Sequence, residues 1–524
     1  MSSAEHHIGN LTVDAVVVGG GHNGLIAAAY LARAGVATLL VEARDQVGGC
    51  ASTVTDLGAR FNICNCDHTM IRALPIIDDL DLARHGLRYL ESEFSSIHST
   101  YALDDTWVFR HNVDEHLDTM AVTHPQWVKS YQRYLDDAIP VAKLVLEMAR
   151  STPSGMHFLQ GLATVKGRGA RRLLAWSQKS ALDVFQTYFT DWRAWMPAVV
   201  TGPTVWGVHP ATPGTGLAGA LYATKHLIRT ARPEGGSGAL TDAIERSFLA
   251  AGGRTLTGSR VTKLLTKHQR VHGVQLADGR FIEARHVLVS SDPQQIFTRW
   301  LDDSTANTFP EIVKWRQQEA HDGYESKLDV VLEGLPVYKF ERQLRSVVGE
   351  SDLHSPTTVV SPSPSDLDEA HRRRAEAKVA DHPSLLINIP TNLDHSMQLD
   401  PNEHVLSLEV LFTPYQHDWE RSTEPERWLQ ILDSLCEPGT LNVKRWRAMT
   451  PDRYESEFFM PRGHTPAFSG SPLSTLKGTP KDLTRHSGPI DGLHLAGAAA
   501  FPGAGIFGGA GRNAAHRVLN QMKQ

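Results

Sequence analysis

Three glycines near the start of the chain have a spacing that suits phosphate binding. Gly19, Gly21 and Gly24 give the pattern G-x-G-x-x-G within VVVGGGHNGLIAAAY. In this pattern the first glycine allows a tight turn, the second lets the backbone approach a pyrophosphate, and the third lets a helix pack closely on a strand. The N-terminus of that helix carries free amides and a partial positive charge, which favour an anion. The spacing therefore predicts a dinucleotide site.

The elements around these glycines agree with that prediction. Val13 to Val18 is a β-branched run typical of a buried parallel strand. Leu25 to Arg33 is predicted to be a helix that Gly35 ends, and Ala37 to Val41 a second strand. Glu42 follows at once, at the distance expected of an acid that accepts hydrogen bonds from the adenosine ribose. An acid at this position argues against NADP and leaves NAD or FAD.

A second glycine pair separates these two cofactors. Gly48 and Gly49 lie shortly after Glu42 in EARDQVGGCAST. The end of a strand has no need of a second glycine pair, whereas a long cofactor that threads past a second loop does. The pattern therefore favours FAD, with NAD at Glu42 as the alternative.

The C-terminal sequence DGLHLAGAAAFPGAGIFGGAGRNAAHRVL supplies the other end of the site. Leu493 to Ala496 is predicted to be a strand, followed by Gly497 and by a helix that begins near Gly508. The glycines here also match G-x-G-x-x-G, but too few residues follow for a second βαβ unit. We expect the helix to aim its N-terminal amides at the flavin ring, where negative charge develops on reduction. Gly505 and Ile506 lie just before this helix.

The chain resembles the phytoene desaturase-related FAD oxidoreductases, most closely their pyridine nucleotide-disulfide oxidoreductase domain-containing protein 2 branch. The resemblance rests on VVVGGGHNGLIAAAYLARAG, DLDLARHGLRYL, PEGGSGAL, VSSDP, INIPTNLDHSM, VLFTPYQHDW and GAGRNAA. It implies an α/β fold, in which a Rossmann-like FAD-binding domain of the glutathione-reductase type carries a discontinuous α+β cap domain. Phe501 departs from the family pattern, because relatives often have a histidine before the Pro-Gly.

The resemblance also implies which residues meet the cofactor. Arg44 would lie near the ribose, the loop from Gly48 to Ser52 near the pyrophosphate, and the Val261 backbone against the adenine. The candidate FAD-binding residues are Gly19, Gly21, Gly24, Glu42, Ala43, Arg44, Gly48, Gly49, Ala51, Ser52, Val261, Gly497, Gly505 and Ile506.

We predict two discontinuous domains. Residues 11–75, 215–300 and 475–524 would form the FAD-binding domain, and residues 76–214 and 301–474 the substrate-binding cap. The first cap segment is predicted to be mainly helical. The second is predicted to contain strands at Lys327–Leu332, Leu385–Ile389 and Val405–Phe412 and a charged helix at Asp366–Ala380.

The segment RFNICNCDH carries the candidate catalytic groups, because relatives run alongside the flavin ring just before it. If it is extended, Asn62, Cys64, Cys66 and His68 share one face. His68 could then be a general base. The Cys64–Cys66 pair could be redox-active, or Cys64, Cys66 or His68 could tether the flavin covalently. The alternative is that the thiols are small core residues and the histidine is a buried, hydrogen-bonded one.

Composition excludes several other classes of protein. The 52 basic and 58 acidic residues give a net charge of −6, so nucleic acid is not expected as a partner. No HExxH motif or paired CxxC motif predicts a metal, and the lack of a CxxC and of a second complete nucleotide fingerprint argues against a disulfide reductase. Four cysteines and an N-terminus without a basic-then-apolar pattern indicate the cytoplasm.

Together these features predict an FAD-dependent dehydrogenase or desaturase. It would move a hydride from a C–H bond to flavin N5, leave a C=C or C=N bond, and pass electrons to oxygen, a quinone or another acceptor. Two alternatives stay open: a redox-neutral isomerase that uses reduced FAD, and a flavin-binding interaction protein without turnover. The aromatic cluster from Phe185 to Trp206 is either cap core or the wall of a hydrophobic substrate tunnel, and Lys166 to Trp176 could touch a membrane surface.

Overall fold

The computed structural model describes residues 11–64, 66–103, 105–150, 152, 168–468 and 470–524. Its strands in chain order are β1 Leu11–Val18, β2 Thr38–Val41, β3 Thr53–Asp56, β4 Ala59–Asn62, β5 Tyr89–Glu91, β6 Phe94–Thr100, β7 Trp107–Arg110, β8 Ala231–Pro233, β9 Arg254–Leu256, β10 Val261–Lys267, β11 Arg270–Leu276, β12 Phe281–Val289, β13 Glu325–Glu333, β14 Thr357–Ser361, β15 Leu385–Asn388, β16 Glu403–Leu411, β17 Val443–Met449 and β18 Leu493–Leu495.

The helices connect and cover these strands. In chain order they are α1 His22–Arg33, α2 Ile76–Asp79, α3 Val113–Thr123, α4 Val128–Ala149, α5 Arg168–Trp176, α6 Ala181–Gln186, α7 Met196–Val200, α8 Ala218–Ala223, α9 Gly238–Ala250, α10 Pro293–Arg299, α11 Asp303–Ala306, α12 Pro310–Gln317, α13 Glu341–Val348, α14 Pro364–Ala375, α15 Pro390–Leu393, α16 Glu424–Ser434, α17 Pro451–Phe458, α18 Pro472–Lys477, α19 Lys481–Arg485 and α20 Gly509–Met522.

The first sheet has the order β10-β11-β12-β1-β2-β9, with β18 paired to β12. Strand β1 runs parallel to both β2 and β12, and Val18 pairs with Val41 on one side and Val289 on the other. The three strands therefore end level, and the residues that follow them share one edge. In doubly wound sheets this carboxyl edge is where nucleotides bind.

Helix α1 packs on this sheet with almost no space between the backbones. A Cβ atom at Gly24 would lie 1.9 Å from the carbonyl oxygen of Gly19, and one at Gly511 in α20 would lie 2.0 Å from that of Asn23. Real Cβ atoms never approach an oxygen so closely, so both positions require glycine. The missing side chains fix α1 between β1 and α20.

The second sheet has the order β17-β13-β16-β15-β14-β6-β7. Alternate residues of β13 face opposite sides of it. Leu328, Val330 and Leu332 belong to an apolar core, whereas Glu325, Lys327 and Asp329 lie on the other face. The sheet therefore has one apolar face and one face with a row of ionisable groups.

Both predicted cap segments contribute to this second sheet, with two differences from the prediction. Residues 76–214 are largely helical but also supply β5, β6 and β7. The helix predicted over Asp366–Ala380 ends at Ala375, because the amide of Lys378 bonds back to the carbonyl of Arg373 and Ala377 takes a left-handed φ of 58°. No glycine lies there, so no stop signal for the helix was visible in the sequence.

The aromatic cluster of the first cap segment is core. Phe185, Tyr188, Phe189 and Trp195 are buried in one apolar cluster with residues of α4 and α8, as the first of the two interpretations holds. Within the described residues, no helix combines the length and the apolar character that a membrane span requires. Lys166 and Gly167, at the start of the proposed membrane-contact stretch, lie outside the described residues.

The contact of α20 with α1 gives a first prediction. Replacing Gly511 with alanine forces α20 away from Asn23, so we expect the apoprotein to lose about 3 kcal/mol of stability and to unfold at a lower temperature. The matched control is Gly21→Ala, because a Cβ there meets no atom within 4 Å and its φ of −67° suits alanine. Equal thermal midpoints for the two variants would contradict this account of the packing.

Candidate functional site

The first glycine loop opens the N-terminus of α1 to a cavity. Gly19 turns the chain with a φ of 98°, and Gly21 precedes the helix in an extended conformation. The first turn of α1 has neither a side-chain cap nor an acidic residue, and a Cβ at Gly21 would point into open space. Unsatisfied amides beside open space form an anion site. These residues fit the pyrophosphate of a dinucleotide.

Glu42 secures this loop at the end of β2. One carboxylate oxygen accepts the amide proton of Gly20 at 2.6 Å, and the other accepts that of Arg44 at 2.9 Å. The side chain is only 8% exposed. A carboxylate oxygen has two lone pairs, so these bonds leave Glu42 able to accept from ribose hydroxyls as well. The sequence suggested only the second of these roles.

The second glycine loop lies against the first. The amide of Gly48 donates to the carbonyl of Gly20 at 2.8 Å, and a Cβ at Gly49 would lie 3.1 Å from the Cα of Gly21. Arg44 donates to the hydroxyl of Ser52 at 3.0 Å. Ala51 and Ser52 are buried behind the loop. The first and second glycine loops therefore pack against each other and border the same open space.

Backbone hydrogen bonds join the residues after β2 to the residues just before β10. The amide of Ser259 donates to the carbonyl of Glu42, and that of Gly258 to the carbonyl of Arg44, both at 2.8 Å. Ala43 lies between these two pairings. Val261 starts β10 just beyond them and is buried. The structure thus brings Ala43 and Val261 to the same end of the site as Glu42.

The C-terminal residues reach the same edge from the other side. A Cβ at Gly497 would lie 2.5 Å from the carbonyl of Ser290, whose hydroxyl donates to the carbonyl of Gly19 at 3.0 Å. The carbonyl of Ile506 accepts from the amide of Ile71, and His22 at the start of α1 bonds to the backbone of Gly505. Sequence reasoning did not assign Ser290, although VSSDP carried part of the resemblance.

Helix α20 begins beside these loops. It starts after Gly508, whose φ is 77°, and its first turn has no acidic residue. One amide of that turn, Gly511, donates to the side chain of Asn23 in α1 at 3.3 Å. The two helices therefore start next to each other, as the contact of His22 with Gly505 also shows. The charge of a long anionic cofactor matches this arrangement.

The predicted shared face of Asn62 to His68 is wrong. Strand β4 ends at Asn62 and the chain bends at Ile63 and Cys64, so the side chains do not alternate. His68 is completely buried, and its two ring nitrogens contact the hydroxyls of Tyr89 at 3.1 Å and Ser237 at 3.2 Å. The amide of His68 pairs with the carbonyl of Ala231, outside β4, yet the ring still contacts Ser237, whose amide donates to the Asn62 side chain at 2.9 Å.

The chemistry of these candidates is that of core residues. Burial lowers the pKa of His68 to about 3, so the ring stays neutral, and both of its nitrogens are engaged. Burial raises the pKa of Cys66 to about 12, and its thiol lies 3.3 Å from the amide oxygen of Asn388. This environment favours the structural alternative for both residues.

The row of ionisable groups on the second sheet is a feature that sequence reasoning missed. Lys327 lies directly opposite Glu409 across the β13–β16 pair, and its ammonium donates to the Asn62 carbonyl and pairs with Asp329. Lys327 and Asp329 are fully buried and Glu409 is 4% exposed. The row therefore faces the segment that follows β4. Its signal was in the sequence, as charges at every second residue of ESKLD.

Burial in this row perturbs two carboxyl groups. It raises the pKa of Glu409 to about 7, against the opposing charge of Lys327, while Asp67 and Asp329 raise it further. Burial and the charge of Glu409 also raise the pKa of Glu325. A buried carboxyl that titrates near neutrality can exchange protons with a substrate.

Aromatic side chains line the region near Gly505. A Cβ at Gly505 would meet the indole of Trp206 at 3.9 Å, and one at Gly503 would meet Phe468 at 3.4 Å. Phe468 packs edge to face against Phe501 with ring centroids 5.6 Å apart. Phe501, the position that departs from the family pattern, therefore adds apolar surface here.

Comparison with known proteins agrees with this geometry. Residues 17–74 match the NAD(P)-binding Rossmann-like domain, and residues 130–324 match the flavin-containing amine oxidoreductase family. Pyridine nucleotide-disulfide oxidoreductase domain-containing protein 2 of Mus musculus is 28% identical, over 97% of this chain and 94% of that protein. Phytoene desaturase (lycopene-forming) of a Paracoccus species is 25% identical, over 97% of each.

A solved structure shows the same fold. Putrescine oxidase bound to putrescine superposes with a TM-score of 0.65, over 98% of this chain and 100% of that chain, at 16% identity. The predicted α/β fold with a Rossmann-like domain and a second sheet domain is confirmed. The chain is similar over nearly its whole length to phytoene desaturase-related flavoproteins and is an FAD-dependent oxidoreductase.

Proposed function

We propose that the chain is a dehydrogenase or desaturase that oxidises a C–H bond of a hydrophobic small molecule to a C=C or C=N bond. The bound FAD would supply the hydride acceptor, at N5 of its flavin ring. The observation that carries the proposal is the convergence of both glycine loops and the N-termini of α1 and α20 at one sheet edge. Electrons would then pass to oxygen, a quinone or another acceptor.

The residues around this edge would each contact a particular part of the cofactor. The α1 amides and Gly19, Gly21 and Gly24 would bind the pyrophosphate, with Gly48, Gly49, Ala51 and Ser52 on its other side. Glu42, Ala43 and Arg44 would meet the ribose, and Val261 the adenine. Gly497, Gly505 and Ile506 with the α20 N-terminus would lie at the flavin ring.

We propose that residues 11–75, 215–300 and 475–524 bind FAD and that 76–214 and 301–474 bind substrate. In support, the first sheet takes its strands from residues 11–41, 254–289 and 493–495, and the second from 94–110 and 325–449. The aromatic groups of Trp206, Phe468 and Phe501 support an apolar substrate, because they offer a rigid, water-excluding surface.

We propose Glu409 as the group that takes the substrate proton, in place of His68. Its pKa of about 7 keeps a usable fraction ionised at neutral pH. Lys327 lies opposite it and holds the ionised form by charge attraction. Lys327 of this pair also donates to the Asn62 carbonyl, and the resemblance implies that the residues just before Arg60 run alongside the flavin ring.

We also propose that the protein acts in the cytoplasm, because all four cysteines are free thiols. A peripheral membrane contact would involve α5, where the side chain of Leu174 is 43% exposed beside arginines.

Anaerobic reduction of the flavin tests the proposed reaction. Purified holoprotein is mixed without oxygen with an isoprenoid polyene, a monoterpene or a hydrophobic amine, and the visible flavin spectrum is followed. We expect bleaching with one substrate, together with one equivalent of a product that has lost two hydrogens. A product of unchanged mass formed only by pre-reduced enzyme would replace the proposal with the isomerase. No reduction by any hydrophobic compound would favour the non-catalytic alternative.

Substitution of Gly21 tests the cofactor site. The added methyl group would occupy the open space in front of the α1 amides, so Gly21→Ala should weaken FAD binding by at least about tenfold. Equilibrium titration of apoprotein with FAD measures this. Gly252→Ala is the control for a general loss of stability, because its φ of 86° strains an alanine there, whereas the position lies at the end of α9, away from the glycine loops. Unchanged affinity in Gly21→Ala would contradict the assignment.

The role of Glu409 predicts a pH dependence. A base must be ionised, so the rate of flavin reduction in single turnover should rise with pH, with a midpoint at the Glu409 pKa of about 7, and level off at higher pH. Glu409→Gln should slow this step by about 100-fold and remove the rise. Glu403→Gln, on the same strand but paired with Arg445 at the sheet margin, should keep the wild-type profile. A normal profile in Glu409→Gln would exclude Glu409 as the base.

A further inference from the structure

Two of the four cysteines lie together at the open end of the β3–β4 hairpin. Thr53 pairs with Asn62, and the amide of Ile63 bonds to the carbonyl of Ser52 at 3.0 Å, which extends the pairing by one step. Cys64 directly follows Ile63, and Cys50 lies two residues before Ser52 in the 3-10 turn that leads into the hairpin. The two cysteines therefore lie at the same end of the hairpin.

The side chains of these two cysteines are in contact. The thiols of Cys50 and Cys64 lie close enough for each to shift the pKa of the other. Cys50 also donates to the sulfur of Met460 at 3.4 Å, and Met460 packs in the same small cluster as Cys64. Both cysteines are free and only partly buried. The three sulfur atoms therefore form one cluster at the rim of the cofactor cavity.

The surroundings make the two thiols unequal. The hydrogen bond from Cys64 lowers the pKa of Cys50, and the nearby cation of Arg44 lowers it further. The same hydrogen bond raises the pKa of Cys64, with burial and the charges of Glu325 and Glu409 acting in the same direction. Cys50 is thus the more acidic thiol of the two, which suits an attacking cysteine, and Cys64 suits the resolving one.

The remaining two cysteines lack this environment. Cys66 is 2% exposed, and Cys436 is 1% exposed and donates to the Leu432 carbonyl. Burial raises the pKa of each thiol to about 12. They serve as internal references for an unreactive thiol.

We propose that Cys50 and Cys64 are a peroxide-sensitive pair that closes reversibly to an intramolecular disulfide. The Cys50 thiolate attacks one oxygen of hydrogen peroxide, the O–O bond breaks, and hydroxide leaves and takes up a proton as water. Cys64 then attacks the sulfur of the resulting sulfenic acid and loses its proton, and the S–O bond breaks to release a second water. Two thiols and one peroxide thus give one disulfide and two waters.

The bond would tie the second glycine loop to the segment that follows β4. Cys50 lies in the 3-10 turn Gly49–Ala51, which packs against the first glycine loop at Gly21. The proposal does not depend on the substrate or electron acceptor of the proposed reaction, because it needs only the two thiols and a peroxide.

Peptide mapping of the FAD-loaded, full-length protein tests the proposal. After hydrogen peroxide treatment, free thiols are alkylated in denaturant and the chain is cut with trypsin. Cleavage after Arg60 separates Cys50 from the peptide that holds both Cys64 and Cys66. We expect a peroxide-dependent linkage of these two peptides that dithiothreitol reverses. If wild-type protein gives no linked peptide and Cys50 ends as sulfinic acid, the proposal is wrong.

Variants identify the partner of Cys50. The linkage should persist in Cys66→Ser and Cys436→Ser and vanish in Cys64→Ser, where Cys50 should instead accumulate as a sulfenic acid that dimedone traps. A linkage lost in Cys66→Ser but kept in Cys64→Ser would overturn the assignment. A measurement without variants guards against misfolding: in native wild-type protein, iodoacetamide should label Cys50 at least about tenfold faster than Cys66 or Cys436. Equal labelling rates would contradict the proposal.

Discussion

The close approach of backbone to backbone around helix α1 is the constraint on which the rest of the structure depends. Gly24 lets the helix touch the turn after β1, and Gly511 lets α20 touch α1, in both cases because no Cβ stands between them. The two helices consequently start side by side at one sheet edge. If either glycine carried a side chain, the amides of α1 and α20 could not face the same cavity.

Glu42 holds the first glycine loop in the conformation that this packing allows. Its buried carboxylate accepts backbone protons from Gly20 and Arg44, and hydrogen bonds to an ionised acceptor are stronger than neutral ones. The acid therefore holds the first glycine loop in shape and also brings a negative charge to the end of β2. In the proposed cofactor site the same residue would also bind the ribose, so one side chain would serve both the shape of the loop and the recognition of the cofactor.

The alternation of side chains along β13 gives the second sheet one apolar face and one charged face. Every other residue of β13 packs into an apolar core, and the residues between carry charges towards the segment after β4. Buried charges are costly unless they are paired, and apolar residues would pack here at lower cost. Lys327 meets this cost by pairing with Asp329 and the Asn62 carbonyl. A row of this kind marks a site in which a proton or a polar group must be handled.

The sequence by itself determined the cofactor end of the protein, because local spacing decides it. A strand, G-x-G-x-x-G, a helix and an acid at the next strand end are all close neighbours in the chain, and their positions follow from helix and strand geometry. The C-terminal glycines could be assigned to the same site because too few residues follow them for a separate βαβ unit. The family motifs then extended the prediction of the fold along nearly the whole chain.

Only the tertiary structure decided the substrate side. His68 and Cys66 are residue types that can do proton or redox chemistry. A bend after Asn62 and the backbone pairing of His68 with Ala231 place both side chains in the core. Glu409 becomes perturbed only when β16 lies against β13, since burial and the charge opposite it come from other elements. Long-range neighbours set the pKa and the reactivity of a side chain, whereas short-range spacing sets the shape of a phosphate loop.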